Sequence, residues 1–557
     1  MTLGRAPEQA DLWQSSAKYC EGKLSPTSIY RLLHGECHRL FPDDGFADLF
    51  QDIGRRSVPP RIVAVVMVLQ KLEGLSDREA VDRFTFDVRW KYAAGGLDLE
   101  YPSFVHTVLV DMRARLRRST APNRIFQAVL DVAKAAGVVG RRRVLDSTPL
   151  YDAVSTQDTV TMIRSALRGL LRVADESVAV ELREVLQRDD DYTAAGKPVC
   201  DWEDKAAREA LVDALARDAY AALAYLDGKS LTEEVAEAAA LLATVVGQDL
   251  EQTEDKTFRI ARRVAPDRVI STVDPEARHG HKTAARGFDG YKGHIAIDPD
   301  SEIITAAEVT AANVGDGSVA KDLLADVIPL PPTPEAAPAP SETSVEAQVP
   351  SSTAASETPL PTNAGAATEP VEVYGDASYG TAEVLVHLEQ AGATANVKVQ
   401  GASAPNGHFT KDEFQIDLKN DTVTCPAGLL VQIRRREDGS GQASFGVACK
   451  SCRLSPSCTD AKGGRVVQLH QHDRLVLEAR KHQRASAWRA NYKATRPKVE
   501  RKIAHLMRRR HGGRRARMRG TERIGHDFMM LCAATNLHRL AQLELRSGPI
   551  DAGIGRA

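Results

Sequence analysis

Aromatic residues are scarce in this sequence, 5% of its 557 residues, which weighs against a sugar-binding cleft and hence against a two-carboxylate glycosidase. The N-terminal MTLGRAPEQADLWQSS lacks the basic-then-apolar pattern of an export signal. The longest apolar run near it, Ile62–Leu69, is far too short to cross a bilayer. No membrane association is therefore expected. Without export, the eight cysteines meet a reducing compartment, and disulfides are not expected. Lys and Arg are absent from Ile328 to Pro370, whereas ten of them stand between Arg501 and Arg523 against one acid, Glu522. The net charge of −2 hides this segregation, and a local basic patch is what a polyanion feels.

The length suggests several domains. Residues 1–135 read as a helical N-terminal domain. Pro59-Pro60 precede the apolar run, Gly74-Leu75 break it, and Ser76 with Glu79 forms a capping box for a second helix. Such a pair is either a helix-turn-helix that reads DNA or an ordinary helical hairpin. Residues 140–155 contain Arg143-Val144-Leu145, a short strand that Asp146 is expected to end. Residues 156–265 read as an all-helical insertion. The sheet pattern resumes over 266–328, with two strands in FDGYKGHIAIDPDSEIITAAEVTAAN joined at Pro299-Asp300-Ser301 and a helix over 315–327. Residues 329–370 hold ten prolines and no aromatic residue, the composition of a disordered linker. Strand, helix and strand come next over 371–400, then a cysteine-bearing insertion over 401–475. A basic helical stretch and a final apolar helix, residues 528–545, close the chain within 476–545. With the insertions set aside, the order is that of an α/β protein with a mixed sheet.

Two aspartates stand where strands are expected to end, Asp146 in VLDSTPL and Asp376 in VEVYGDASYG. A turn residue is the plain explanation for either one. Together they suggest oxygen ligands for a hard cation such as Mg2+, since paired carboxylates without a metal repel each other. A third carboxylate would complete a two-metal site for phosphodiester chemistry. Glu500 is the candidate, with Arg496 four residues and Tyr492 eight residues before it; an i,i+4 ion pair on a solvated helix explains Glu500 equally well. Pro497 suits the first turn of the Glu500 helix, leaving Tyr492 and Arg496 just before it.

VLDSTPL, FDGYKGHIAID, VYGDASYG, the Tyr492–Arg496–Glu500 cluster, RRARMRG and ATNLHRL resemble an insertion-sequence transposase of the DDE type. PRIVAVVMVLQKLEGLSDREAVDRFTFDVRWKYAAG is similar to the helical N-terminal domain of that group, and DYTAAGKPVCDWEDKAAREALVDAL to its helical insertion. The resemblance implies an RNase H-like catalytic core. It implies that Asp146, Asp376 and Glu500 hold two Mg2+ or Mn2+ ions for DNA end cleavage and strand transfer. Tyr492 and Arg496 would touch phosphate near the cut. Arg508, Arg509, Arg510, Arg514, Arg515, Arg517 and Arg519 would add sequence-independent phosphate contacts, unless that run is a solvated surface. Met507 stands where the family carries a basic residue, with Arg508 next to it. The expected partners are transposon ends and target DNA, the expected active form a dimer or larger, and the expected location the cytoplasm, with the nucleoid. The alternatives are a DNA-binding protein derived from a transposase, without strand transfer, or a hydrolytic nuclease on the same core.

Cys425, Cys449, Cys452 and Cys458 form C-x23-C-x2-C-x5-C. The C-x2-C pair has metal-ligand spacing, so the four are candidate Zn2+ ligands in a zinc ribbon, with four reduced loop cysteines as the alternative. His470 and His472 could stand in for a thiol. Cys20, Cys37, Cys200 and Cys532 fit no such pattern.

Overall fold

The computed structural model describes residues 15–543 except 52, 53, 55, 195, 284 and 330–369. All but the two ends of the linker expected over 329–370 lie outside the described residues. The described chain forms two compact units. One falls within Met1–Val139, Leu145–Val319 and Pro497–Ala557, the other within Gly140–Val144 and Ala320–Arg496. The dividing line runs through a single strand, Arg142–Tyr151.

The first unit is built on a helix that hides all its faces. Thr521–Gln542 buries Phe528, Leu531, Cys532, Leu537 and Leu540 along with Thr535 and Asn536. It lies against Pro60–Glu73, Arg124–Ala135 and the strand Ile304–Ala311. Pro60–Glu73 is apolar on every side and buried from Ile62 to Leu72 save for Lys71, as expected of a core helix rather than a surface one. Pro60 opens it and Gly74, in the left-handed region at φ 66, ends it. Asp77–Phe86 is the next helix, and Ser76 and Glu79 make the expected reciprocal capping box.

Three strands of this unit pair antiparallel. Arg278–Thr283 pairs with Arg286–Ile297, which pairs with Ile304–Ala311 across the expected Pro299–Ser301 turn. The Arg278–Thr283 strand has no apolar alternation in its RHGHKT sequence, so only its pairing reveals it. The helix expected over 315–327 is short: a 3-10 turn at Asp316–Val319, then Ala320–Leu324. Residues 159–249 form four helices around their own apolar core, with Leu167, Leu170, Leu215 and Leu242 inside it. They are not all-helical to the end of the expected segment, because Leu250–Gln252 and Phe258–Ile260 form a small hairpin.

In the second unit, residues 142–144 pair in parallel with Glu372–Tyr374, and Glu372–Gly375 pairs in parallel with Thr394–Val397. The sheet is thus mixed, parallel here and antiparallel in the other unit. Arg143 is buried and fixes the start of its strand by an ion pair to Asp326 at 2.6 Å. Beyond residue 410, Gln415–Asp417, Thr422–Thr424, Leu430–Arg435, Gly441–Ser444 and Val466–Leu469 form a five-stranded antiparallel meander in chain order. The helices Ala382–Gln390, Asp473–His482 and Ser486–Thr495 complete this unit.

Candidate active site and nucleic-acid interface

Asp146 does not end its strand. The strand continues to Tyr151, because beyond residue 144 the chain finds new partners. The N–H of Asp152 donates to the carbonyl of Asp289 at 3.0 Å, and that of Tyr151 to the carbonyl of Arg514 at 2.9 Å. Asp146 sits just past the point where the parallel partner strand is used. It is half-buried, and its Oδ1 accepts the backbone N–H of Ser147 at 2.9 Å. The hydroxyl of Ser147 donates to Asp316 Oδ2 at 2.6 Å, and Lys292 Nζ donates to Asp316 Oδ1 at 2.8 Å. Asp316 is buried, so this lysine–carboxylate–hydroxyl chain braces the residue next to Asp146. Sequence reasoning assigned no role to Ser147, Lys292 or Asp316; Lys292 lies in the FDGYKGH motif, which was the available signal.

Asp376 comes directly after its strand, as expected. Its Oδ1 accepts the N–H of Ser378 at 2.9 Å, so it also makes the local turn bond typical of aspartate. The helix Ser486–Thr495 secures the strand from the side. Tyr492 donates its hydroxyl to the carbonyl of Gly375 at 3.2 Å, and Asn491 Nδ2 donates to the Tyr374 hydroxyl at 3.0 Å. Trp488 stacks on Tyr492 with ring centroids 4.7 Å apart. Arg496, at the end of that helix and buried, brings Nη2 to 3.8 Å from Asp376 Oδ2. The second unit therefore assembles Asp376, Tyr492 and Arg496 in one place.

Val144 and Tyr374 are parallel register partners, and Asp146 and Asp376 each lie two residues further on. Glu500 lies in the other unit from Asp376, exposed in the first turn of Pro497–Leu506, which begins at the expected proline. That helix buries Val499, Lys502 and Leu506. Burial pushes the Lys502 ammonium down to about 8, with Glu302 opposing. Among the described residues no three or more His, Cys, Asp or Glu side chains already stand as a metal-holding group.

The basic stretch is not a continuous helix. The helix stops at Leu506, Arg509–His511 is a 3-10 turn, and Gly512, Gly513 and Gly520 interrupt the residues beyond it. Arg508, Arg509, Arg510, Arg514, Arg515, Arg517 and Arg519 are all exposed. The N–H of Ala516 donates to the carbonyl of Tyr151 at 2.8 Å, which with the Tyr151–Arg514 bond lays the arginine segment against the end of the Asp146 strand. Met507 is buried, while Arg508 next to it faces solvent. Arg517 turns back to the carbonyls of Gly74 and Leu75 at 2.8 and 3.2 Å.

Cys425, Cys449, Cys452 and Cys458 line one cavity of about 420 Å³ in the antiparallel module, and none is in a disulfide. Burial raises the Cys458 thiol, and the three other thiols add to the rise while Arg465 opposes it. His470 and His472 lie outside that cavity, their rings 5.5 Å apart beyond the last strand. Cys20, Cys37 and Cys532 are buried elsewhere.

No helix among the described residues is long and apolar enough to cross a membrane. Neither a curated protein nor a solved structure matches the chain. Family models do. Residues 25–115 match a transposase domain (DUF772), residues 253–335 a transposase DDE domain, and residues 424–541 a second transposase DDE domain. The three matches take in the buried helical hairpin, the antiparallel strands that carry Lys292, and the segment from the cysteine module through Glu500 to the central helix; the chain belongs to the insertion-sequence DDE transposases.

Proposed function

We propose that this protein cuts DNA at the ends of an insertion sequence and joins them to target DNA, with Asp146, Asp376 and Glu500 as its catalytic carboxylates. The observation that supports the reading is that Val144 and Tyr374 pair in parallel and that an aspartate, Asp146 or Asp376, follows each of them by two residues in sequence. The same mixed sheet supports an RNase H-like core.

The donor set suits Mg2+ or Mn2+, since carboxylate oxygens are hard ligands and Asp376 keeps its side chain 41% exposed. When bound, two such ions would acidify the attacking hydroxyl and neutralise charge on the phosphate. In the first displacement a water oxygen attacks phosphorus and the 3′ oxygen leaves as a hydroxyl. In the second that hydroxyl attacks a target phosphodiester, releasing its own 3′ hydroxyl. The chain supplies position and charge. Arg496 and Tyr492 are held beside Asp376 to meet the phosphate at the cut. The exposed arginines of 508–519 meet the backbone further along. Joining two ends to one target calls for at least a dimer on DNA, working where the DNA is, at the nucleoid.

The test is a cleavage and joining assay on DNA carrying the element's own ends with Mg2+. Asp146→Asn, Asp376→Asn and Glu500→Gln should each lower 3′-hydroxyl production by more than about 100-fold, since even groups that only orient a metal ligand are worth 10–100-fold. A variant with wild-type cleavage removes that residue from the site. Cleaved ends that never join would instead mark a hydrolytic nuclease.

A further inference from the structure

We propose that Cys425, Cys449, Cys452 and Cys458 bind one structural Zn2+ ion, which locks the antiparallel module independently of the phosphoryl-transfer chemistry. The argument starts from how little holds this module. Its core is Phe414, Val423, Ile433, Ala443, Phe445, Val467 and Leu469 with Cys458, a small set for a five-stranded meander. Cores of this size usually need a staple. Its loops are weaker still. From Gly446 to Cys458 the chain is a succession of 3-10 turns without a regular partner strand. Leu454 and Val447 remain exposed on these turns, at 36% and 78%.

The four cysteines line one cavity where that weakness lies. Cys425 leaves the strand Thr422–Thr424 at a tight turn in which Gly428 donates to the Cys425 carbonyl at 2.8 Å. Gly428 takes φ 85, a conformation glycine tolerates without strain. Cys449 and Cys452 stand on one 3-10 turn, with the Cys452 N–H on the Cys449 carbonyl at 3.3 Å. Cys458 closes the next turn through Ser455 at 2.9 Å. One cavity receives all of them. An ion there would tie three chain segments that share no ladder bond.

Arg465 supplies both a hydrogen bond and positive charge to this cluster. The backbone N–H of Arg465 donates to Cys449 Sγ at 3.4 Å, the kind of outer bond that orients a metal ligand. The Arg465 guanidinium reaches the carbonyls of Cys458 and Phe409 at 3.2 and 3.0 Å, placing a fixed cation at the cavity that the four cysteines line. Its Nε is buried without a hydrogen-bond partner. Four thiolates on Zn2+ leave a net double negative charge, which a neighbouring arginine offsets. Among the described residues no such group stands at metal-holding geometry, so binding would draw the four sulfurs together and release their protons.

Purified full-length protein, grown with zinc and never exposed to chelator, should carry one zinc per chain by elemental analysis. In the native protein Cys425, Cys449, Cys452 and Cys458 should resist a thiol reagent until a strong chelator is added, when released zinc and four additional reactive thiols should appear together. Co2+ exchanged into the wild-type chain should give the intense visible bands of a tetrahedral thiolate site. Cys425→Ser and Cys452→Ser should each lower bound zinc at least tenfold, and Cys200→Ser should leave it unchanged. Wild-type protein without stoichiometric zinc overturns the proposal. So does zinc that survives both cysteine variants, or a disulfide among the four thiols in place of metal.

Discussion

Arg496 Nη2 lies 3.8 Å from Asp376 Oδ2, and Tyr492, one helical turn earlier, donates to the carbonyl of Gly375, the residue before that aspartate. The end of one helix thus sets both the backbone and the charge environment of the carboxylate. Arg496 is buried while the Asp376 side chain is 41% exposed, so the guanidinium holds its position whether or not the carboxylate is engaged elsewhere. Arg496→Lys keeps the charge and loses the planar fork. It should leave the melting temperature nearly unchanged and lower end cleavage about tenfold or more, the worth of a charge-assisted contact of about 1.5 kcal/mol. Equal cleavage by the lysine variant would reduce Arg496 to a point charge.

The arginines after Leu506 should act additively and without regard to sequence. Each phosphate neutralised contributes about 0.9 to the slope of log affinity against log salt. Arg508→Ala, Arg509→Ala and Arg510→Ala together should flatten that slope by about 1 to 3, measured by titration of duplex DNA over a range of salt. An unchanged slope would make this run a solvated surface. Arg517 should behave differently, since its guanidinium bonds the carbonyls of Gly74 and Leu75. Arg517→Ala should lower thermal stability as well as affinity.

Local signals were legible and long-range ones were not. The capping box at Ser76 and Glu79, the proline starts at Pro60 and Pro497, and the turn at Pro299–Ser301 all depend on residues a few positions apart. The extent of the Asp146 strand depends on partners far along the chain, including Arg514, and Pro149 within it reads as a breaker. The strand Arg278–Thr283 has no pattern of its own. The basic stretch, expected to be helical, is so up to Leu506, beyond which Gly512, Gly513 and Gly520 interrupt it. The place of Asp376 just after its strand was legible because strand and turn announce themselves, whereas the approach of Arg496 to it joins residues 120 positions apart. For the Ser147–Asp316–Lys292 chain the FDGYKGH motif pointed to Lys292 alone, and nothing in the three residue types fixes their meeting.

Gly74 is a position where the fold cannot accept a side chain. Its φ is 66, and a Cβ there would lie 1.9 Å from the carbonyl oxygen of Arg510. Both the left-handed backbone and the collision oppose alanine, and the second atom is backbone that cannot swing aside. Gly74→Ala should cost more than about 1 kcal/mol. It should show as a fall of about 2 °C or more in the melting temperature of the full chain. A variant as stable as wild type would mean that the Arg510 segment does not rest on this helix end.

His294 should make stability sensitive to mild acid. It lies fully buried on the strand Arg286–Ile297, with Nε2 2.9 Å from Thr310 Oγ1. Burial pushes its pKa down to about 4; Lys292 pushes the same way and Asp316 opposes. In the unfolded chain the imidazole titrates near its ordinary value of about 6.5. Between those values the unfolded state takes up a proton that the folded state refuses. Stability therefore falls as pH drops from about 6.5 towards 4 and is unaffected by this group above that window. The full loss is roughly 3 kcal/mol at about 1.4 kcal/mol per unit. His505 is depressed in the same direction, so the decisive quantity is a difference between proteins. His294→Gln keeps a partner for Thr310 and has no proton to gain. Its melting temperature should lie below wild type at pH 7.5 and converge with it by pH 5. Parallel curves for the two proteins across that range would show that His294 is not held neutral by the fold.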